Sequence, residues 1–354
     1  VTAVAAVALG AAIAAAVVLT PSVANAVESS SAPAGATAPA HAAAPVRTAA
    51  SARAFVADPL LVRDQNPLVR GVYLPLPVSA GGNDGLRYSA ALQWSNTANA
   101  DVSPRERLTV DAETLELDLG VEGQRGAWRF RAGLPVIRRS AGVLDSFISS
   151  WHDTFGLPDG DRPALPKDAY RIRYERSGRA TLDVPEGTAL GDLHVELGRV
   201  LVDGEGAGLS GWLGAELPTG SESRATGNGA VDFAGWFAGR VQLGARVQLT
   251  GQAGVTVPGG DGPLPPRDAA GFGTLTLGWQ IARSFTGIVQ LDAHSALADD
   301  ADAKFLQSAT VLTIGGRVPL GDGAVFEAGV SEDVAVDRSP DVVFHFGVRW
   351  PAFR

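Results

Sequence analysis

Asp292, His294 and Ser295 stand almost side by side, and these are the residue types that a hydrolase uses as orienter, base and nucleophile. Their spacing works against that chemistry. In an extended chain Asp292 and His294 share a face while Ser295 points the other way, and no glycine-rich oxyanion segment accompanies them. A membrane-embedded hydrolase is therefore only the third reading, and no catalytic residue is expected. His152, beside Asp153, could act as a ligand or a base, but no second histidine stands three or four residues away, so a packed or capped histidine is expected. The chain has no cysteine, which removes thiolate metal sites, cysteine nucleophiles and disulfide scaffolds. Neither metal nor cofactor is expected. Gly206, Gly208 and Gly211 match a dinucleotide-binding pattern, yet a strand pattern follows where that site needs a helix, and a tight turn uses the same glycines.

A larger set of ionisable side chains recurs with a period of two. Glu116, Asp118, Arg129, Arg131, Glu196, Asp232, Arg240, Arg246, Asp292, His294, Arg317 and Glu327 each interrupt an apolar series at alternate positions. His194 and His345 do the same. On paired strands these groups would share one face and pair with opposite charges on neighbouring strands. That face reads either as the wall of a polar, selective pore or as a network that fills an interior.

The elements that would carry them are strands. Val231, Phe233, Gly235, Phe237, Gly239 and Val241 interleave with Asp232, Ala234, Trp236, Ala238, Arg240 and Gln242, a period of two and not of 3.6. Tyr88 to Trp94, Leu115 to Val121 and Trp128 to Leu134 open the series. Later strands are expected over 193–202, 209–217, 231–241, 247–257, 275–281, 288–295, 310–318, 325–334 and 342–350. Each has one face for lipid and one for water, the pattern of an antiparallel up-and-down transmembrane β-barrel. Short connections at 203–206 and 320–323 alternate with longer ones at 219–229 and 258–271. Putting the short turns in the periplasm gives twelve strands with both chain ends periplasmic. Tyr170, Ile172 and Tyr174, with Ala180, Leu182 and Val184, form a further hairpin; if it spans, the count is fourteen.

Composition agrees. The net charge of −9 argues against nucleic acid as a partner. Mean hydropathy is only +0.10, and beyond the leader no apolar run reaches the roughly 20 residues of a spanning helix. The one helical passage, 143–155, sets Val143, Leu144, Phe147, Ile148, Trp151 and Phe155 on one face. This passage, with Leu144, Phe147, Ile148, Trp151, His152 and Phe155 as its candidate residues, is expected to form a lid on the barrel or a plug in its mouth, with an amphipathic helix lying on the membrane as the alternative.

Residues 1–26 read as a signal peptide cut after Ala26, with an uncleaved anchor as the alternative. The initial Val1 reads as a start codon translated literally or a truncated gene model. Residues 27–58 form an Ala/Pro/Ser-rich tract expected to be disordered. The barrel domain is expected over 59–354. Within it, the proline-rich stretch from Pro59 to Gly82 is a poor central strand and is expected to tuck into or under the barrel.

Three motifs carry a resemblance. Asp64-Gln65-Asn66-Pro67, Leu144-Asp145 followed by Trp151-His152 and Phe155-Gly156-Leu157-Pro158, and Gly191-Asp192-Leu193 resemble an uncharacterised family of proteobacterial outer-membrane proteins known only as a domain of unknown function. Leu217-Pro218-Thr219-Gly220 with Gly227-Asn228-Gly229 is similar to a loop of outer-membrane barrels grouped under a phenol-degradation meta-pathway name, which implies a barrel and hints at apolar-compound uptake. The last strand alternates Val342, Phe344, Phe346, Val348 and Trp350 with Val343, His345, Gly347 and Arg349, and Phe353 lies next to the end. It looks like the aromatic strand read by the outer-membrane assembly machinery. The expectation is a monomeric, exported outer-membrane barrel in contact with lipid that passes or binds a small solute. An accessory barrel without a conducting path is the alternative.

Overall fold

The computed structural model describes residues 57–79, 84–156, 160–260, 264, 266–334 and 337–352. The expected signal peptide, nearly all of the expected linker, Phe353 and the Leu157-Pro158 end of one motif lie outside the described residues. So do the side chains of Trp151, His152 and Phe155.

Twelve antiparallel strands close into a barrel. In chain order the strands are β1 (Gly85–Val102), β2 (Glu106–Arg125), β3 (Trp128–Ser140), β4 (Arg171–Arg176), β5 (Arg179–Val184), β6 (Gly187–Leu190), β7 (Leu193–Asp203) and β8 (Ala207–Leu217). There follow β9 (Asp232–Gly244), β10 (Val247–Val257), β11 (Ala270–Ala282), β12 (Phe285–His294), β13 (Ala309–Gly321), β14 (Ala324–Asp333) and β15 (Val342–Pro351). The ring omits β4, β5 and β6 and closes where β15 pairs with β1, from Arg87↔Pro351 to Asn96↔Val342. The connections β2–β3, β7–β8, β9–β10, β11–β12 and β13–β14 are two or three residues long and share one end with both ends of the barrel's chain. The longer loops gather at the other end, as the turn lengths predicted.

Alternation decides what faces out. Leu213, Phe237, Leu275 and Ile314 are exposed on the outer wall, while Asp232, Ala234, Trp236 and Ala238 are buried within. Trp128, Trp279, Tyr88 and Trp350 lie close to the short turns, where aromatic side chains form a girdle at a membrane interface.

The strands β1 and β2, 18 and 20 residues long, exceed the roughly 9–11 residues that cross a bilayer. Their far third, residues 97–102 and 106–112, projects beyond the long-loop end. The projecting edge of β2 pairs with β4, and β4 with β5. The Tyr170-to-Val184 hairpin therefore does not span, which fixes the count at twelve. Its Ile172, Tyr174, Leu182 and Val184 instead pack with Leu108, Val110, Phe305 and Leu306 into an apolar cap over the mouth.

The helix α1 (Asp145–Phe155) corrects another expectation. It neither covers nor enters the lumen. Leu144 and Ile148 pack on Val342, with Trp94, Val330 and Phe344 beside them, and the Phe147 ring lies tilted against Phe344 at 6.0 Å between ring centroids. In the strand alternation Trp94, Val342 and Phe344 belong to the outer wall, so Leu144, Phe147 and Ile148 are wall contacts and not lid or plug residues. The amphipathic pattern predicts that one face is buried but not which side of the wall covers it.

Glu113 fixes this position. It lies on the outward face of β2 in line with Leu115 and Leu117, yet it is buried. Its carboxylate accepts the Val143 N–H at 2.6 Å, the Leu144 N–H, and the Trp94 indole N–H at 2.9 Å. Two donors at the start of the helix are thereby satisfied, and negative charge sits at the positive end of its dipole. Glu113→Ala is expected to destabilise α1 by about 1 kcal/mol. Faster amide exchange at Val143 and Leu144 would show it; unchanged protection would refute the capping role.

Candidate functional site

The lumen is occupied by the chain itself. Residues 57–79 enter at the short-turn end, where the Ala57 carbonyl accepts from Gln248 at 3.0 Å. They rise to the long-loop end and return to the Ser79 carbonyl, which accepts from Arg129 beside the β2–β3 turn. The segment forms no strand, so its backbone polar groups need other partners. Side chains of the wall supply them. Gln290 accepts the Leu60 N–H and Glu327 the Leu61 N–H, each at 3.0 Å. Gln93 donates to the Leu61 carbonyl at 2.7 Å, and Arg131 to the Leu76 and Pro77 carbonyls at 2.7 and 3.2 Å. Gln252 holds both Pro75 and Val78. Prolines 59, 67, 75 and 77 reduce the number of N–H groups to be satisfied. Gly278 leaves room at the entrance, since a Cβ there would collide with Ala57.

Most of the expected lumen-facing residues meet on this segment. Glu116 pairs with Arg70. Arg131 pairs with Glu196 across β3 and β7 at 2.7 Å, and Glu196 also accepts the Tyr73 hydroxyl at 2.8 Å. Asp232 accepts the Tyr73 N–H at 2.9 Å. Arg317 pairs with Glu327 at 2.7 Å and donates to the Pro59 carbonyl at 2.7 Å. Asp118 is buried on the same face, and Arg129 lies 5.1 Å over the Trp212 ring. Arg240 is half-buried near the short turns and pairs with Asp203 at 3.1 Å.

Arg246 is a correction. It occupies the two-residue turn between β9 and β10 and is exposed. A register shift at Val247 and Gln248 breaks the alternation that assigned it inward.

Asp292 and His294 face inward and are buried, and the Ser295 hydroxyl does not join them. Thr274 and Gln290 donate to Asp292 at 2.6 and 2.9 Å. The His294 ring nitrogens face the Ser295 carbonyl at 2.8 Å and Asp64 at 2.9 Å, and the Ser295 hydroxyl accepts the Gly271 N–H at 3.0 Å. His345 bonds Glu327 at 3.0 Å, whereas His194 stacks on Tyr73.

Charge alone marks only part of this arrangement. The wall glutamines 93, 248, 252 and 290 are neutral but supply both donor and acceptor to a passing backbone. Their signal was available, because each stands at an inward position of its strand. Asp64, Arg70 and Arg63, which donates to the Leu74 carbonyl, escaped because an aperiodic, proline-rich stretch gives no face to assign.

The family motifs fasten the far end of this segment. Asp64 takes Ser339 and His294, and Asn66 donates to the Phe305 carbonyl at 2.6 Å. Asn228 donates to the Gly71 carbonyl and to Asp232, each at 2.9 Å. The Gly191-Asp192-Leu193 motif meets the Thr219–Gly229 loop directly. Thr219 accepts the Leu193 N–H at 2.9 Å and donates to the Gly191 carbonyl at 2.8 Å, while Asp192 accepts the Gly220 N–H at 2.6 Å. Gly227 is required there, since a Cβ would collide with the Asp192 carboxylate.

Burial pushes the Asp192 carboxyl up to about 6, against the opposing effect of its backbone hydrogen bonds. A carboxyl raised in this way holds its proton more tightly in the fold than in the unfolded chain. The stability it contributes is complete below about pH 4 and is lost as the pH rises through about 6. Asp192→Asn, which cannot ionise, is expected to remove that part of the fall in unfolding midpoint between about pH 4 and 7. Parallel profiles for variant and parent would refute this.

No curated protein matches the chain. Among solved structures it is similar to the COG4313 outer-membrane channel from Pseudomonas putida, at 14% identity and a TM-score of 0.50, over 76% of this chain and 95% of that one. The NanC porin is 9% identical with a TM-score of 0.43, over 75% and 99% of the two chains. The toluene transporter TbuX from Ralstonia pickettii is 9% identical with a TM-score of 0.36, over 77% and 89%. At such identities the likeness is one of fold. A family model described as "Protein of unknown function (DUF3187)" matches residues 41–351, nearly the whole barrel and its internal segment, and the chain belongs to that family.

Proposed function

We propose that this protein is an outer-membrane barrel that passes or binds a small solute through a lumen held shut by residues 57–79. What carries this reading is how the lumen is filled. Small barrels pack their interior with wall side chains; here a separate length of chain takes that place, held by glutamines and arginines that would suit water equally well. Its removal would leave a polar, hydrated wall.

Within that wall Trp212 and Trp236 stack at 5.9 Å and 9°, with Phe272 edge-on at 6.2 Å from Trp236. Such a row supports an apolar solute. With the short turns in the periplasm, residues 57–79 would be entered from the periplasmic side, and the aromatic outer face of β15 would meet lipid and the assembly machinery.

The apolar cap over the long-loop end favours a second reading, an accessory barrel with no conducting path. Liposome swelling separates the two. Purified protein should admit small solutes when the internal segment is displaced, and absence of flux under every condition would leave the accessory barrel.

A further inference from the structure

Away from the lumen, a cavity of about 230 Å³ lies on the outer side of the projecting β1–β2 hairpin, beneath α1 and residues 162–167. Most of the charge around it is already paired. Asp145 takes Arg162 at 2.7 Å, Asn96 at 3.0 Å and the Asp168 N–H at 2.7 Å. Arg162 is shared with Asp341 as well. Asp111 differs. It lines the cavity and is 4% exposed, and although it feels the charge of Arg162 at longer range, its carboxylate has neither a hydrogen bond nor an ion pair among the described residues.

A carboxylate held largely away from bulk water without a direct partner is costly, and the cavity onto which it opens is the place for a cation that would pair with it. A metal ion fits poorly. Calcium takes roughly six to eight oxygens and magnesium a near-octahedral set, whereas among the described residues no group of three or more His, Cys, Asp and Glu residues comes together to hold one. An ammonium group needs only about three acceptors. The Ser149 hydroxyl stands in the same wall, and Ala98 and Leu165 give an attached carbon chain an apolar surface.

We propose that this cavity binds a primary alkylammonium group, with Asp111 as its counter-ion and Ser149 as a second acceptor. The site is independent of the lumen, and its ligand need not be a transported solute.

Titration of the full chain in detergent micelles with n-butylammonium, followed calorimetrically, tests it. The parent should saturate. Asp111→Asn should weaken binding about tenfold or more, and Ala98→Leu, which fills the cavity but keeps the carboxylate, should also weaken it. Both variants should retain the heat-dependent gel mobility of a folded barrel. Equal binding by Asp111→Asn, or no saturation by the parent, would overturn the proposal. So would calcium or magnesium binding in place of the amine. Lys167 also lines the cavity; if binding appeared only in Lys167→Gln, that side chain would be the occupant and no external ligand would be required.

Discussion

Deleting residues 57–79 while keeping all twelve ring strands is expected to turn a silent barrel into one that conducts in steps across a planar bilayer. No strand pairing is lost, because the segment pairs with none. The groups it leaves behind, Gln93, Gln252, Gln290, Arg129 and Arg131 among them, can exchange its carbonyls and N–H groups for water at little net cost. The full-length protein should show only rare openings. The apolar cap of the β4–β5 hairpin remains over the long-loop end, so a second variant also lacking Arg171–Val184 should conduct more strongly. Heat-dependent mobility on gels would establish that both are folded. If both were folded and both silent, the lumen would not be a passage, and the accessory reading would stand.

How far the sequence could carry this is best seen at particular residues. Phe237 beside Ala238, or Leu117 beside Asp118, report their faces through a local period of two, and loop lengths then set orientation and parity. That information lies within a few neighbouring positions. The path of residues 57–79 does not, since Leu60 meets Gln290 and Asp64 meets Ser339. Such contacts leave no periodic trace in the chain. Glu113 shows a subtler case: a carboxylate at a lipid-facing position is a contradiction in a bare wall, and it signals that something covers that wall. What covers it is α1. The pattern of 143–155 is amphipathic, but amphipathicity does not distinguish the inside of a barrel from its outside. Arg246 departs from its expected face for a local reason, because the irregular pair Val247 and Gln248 breaks the alternation just after it.

Glu327→Ala is expected to cost about 3–5 kcal/mol of barrel stability, the range for removing one partner of a buried ion pair. Glu327 is fully buried and holds four groups at once: the Leu61 N–H and His345, each at 3.0 Å, Arg317 at 2.7 Å and Arg349 at 3.2 Å. Its loss would leave two guanidinium groups facing each other, with Asp58, 3.6 Å from Arg317, and the more distant Glu122 to offset them. The same carboxylate fastens the internal segment, so trypsin should reach Arg63 and Arg70 in the variant while sparing them in the parent. Deleting residues 57–79 first separates the two effects. Water would then enter the lumen and screen the arginines, and the further cost of Glu327→Ala should fall to about 1 kcal/mol or less, as for an exposed pair. Strong coupling between the deletion and the substitution is therefore the expected result of the cycle. Additive losses would mean that Glu327 serves the wall alone, and that the segment is held by its glutamine and arginine contacts without it.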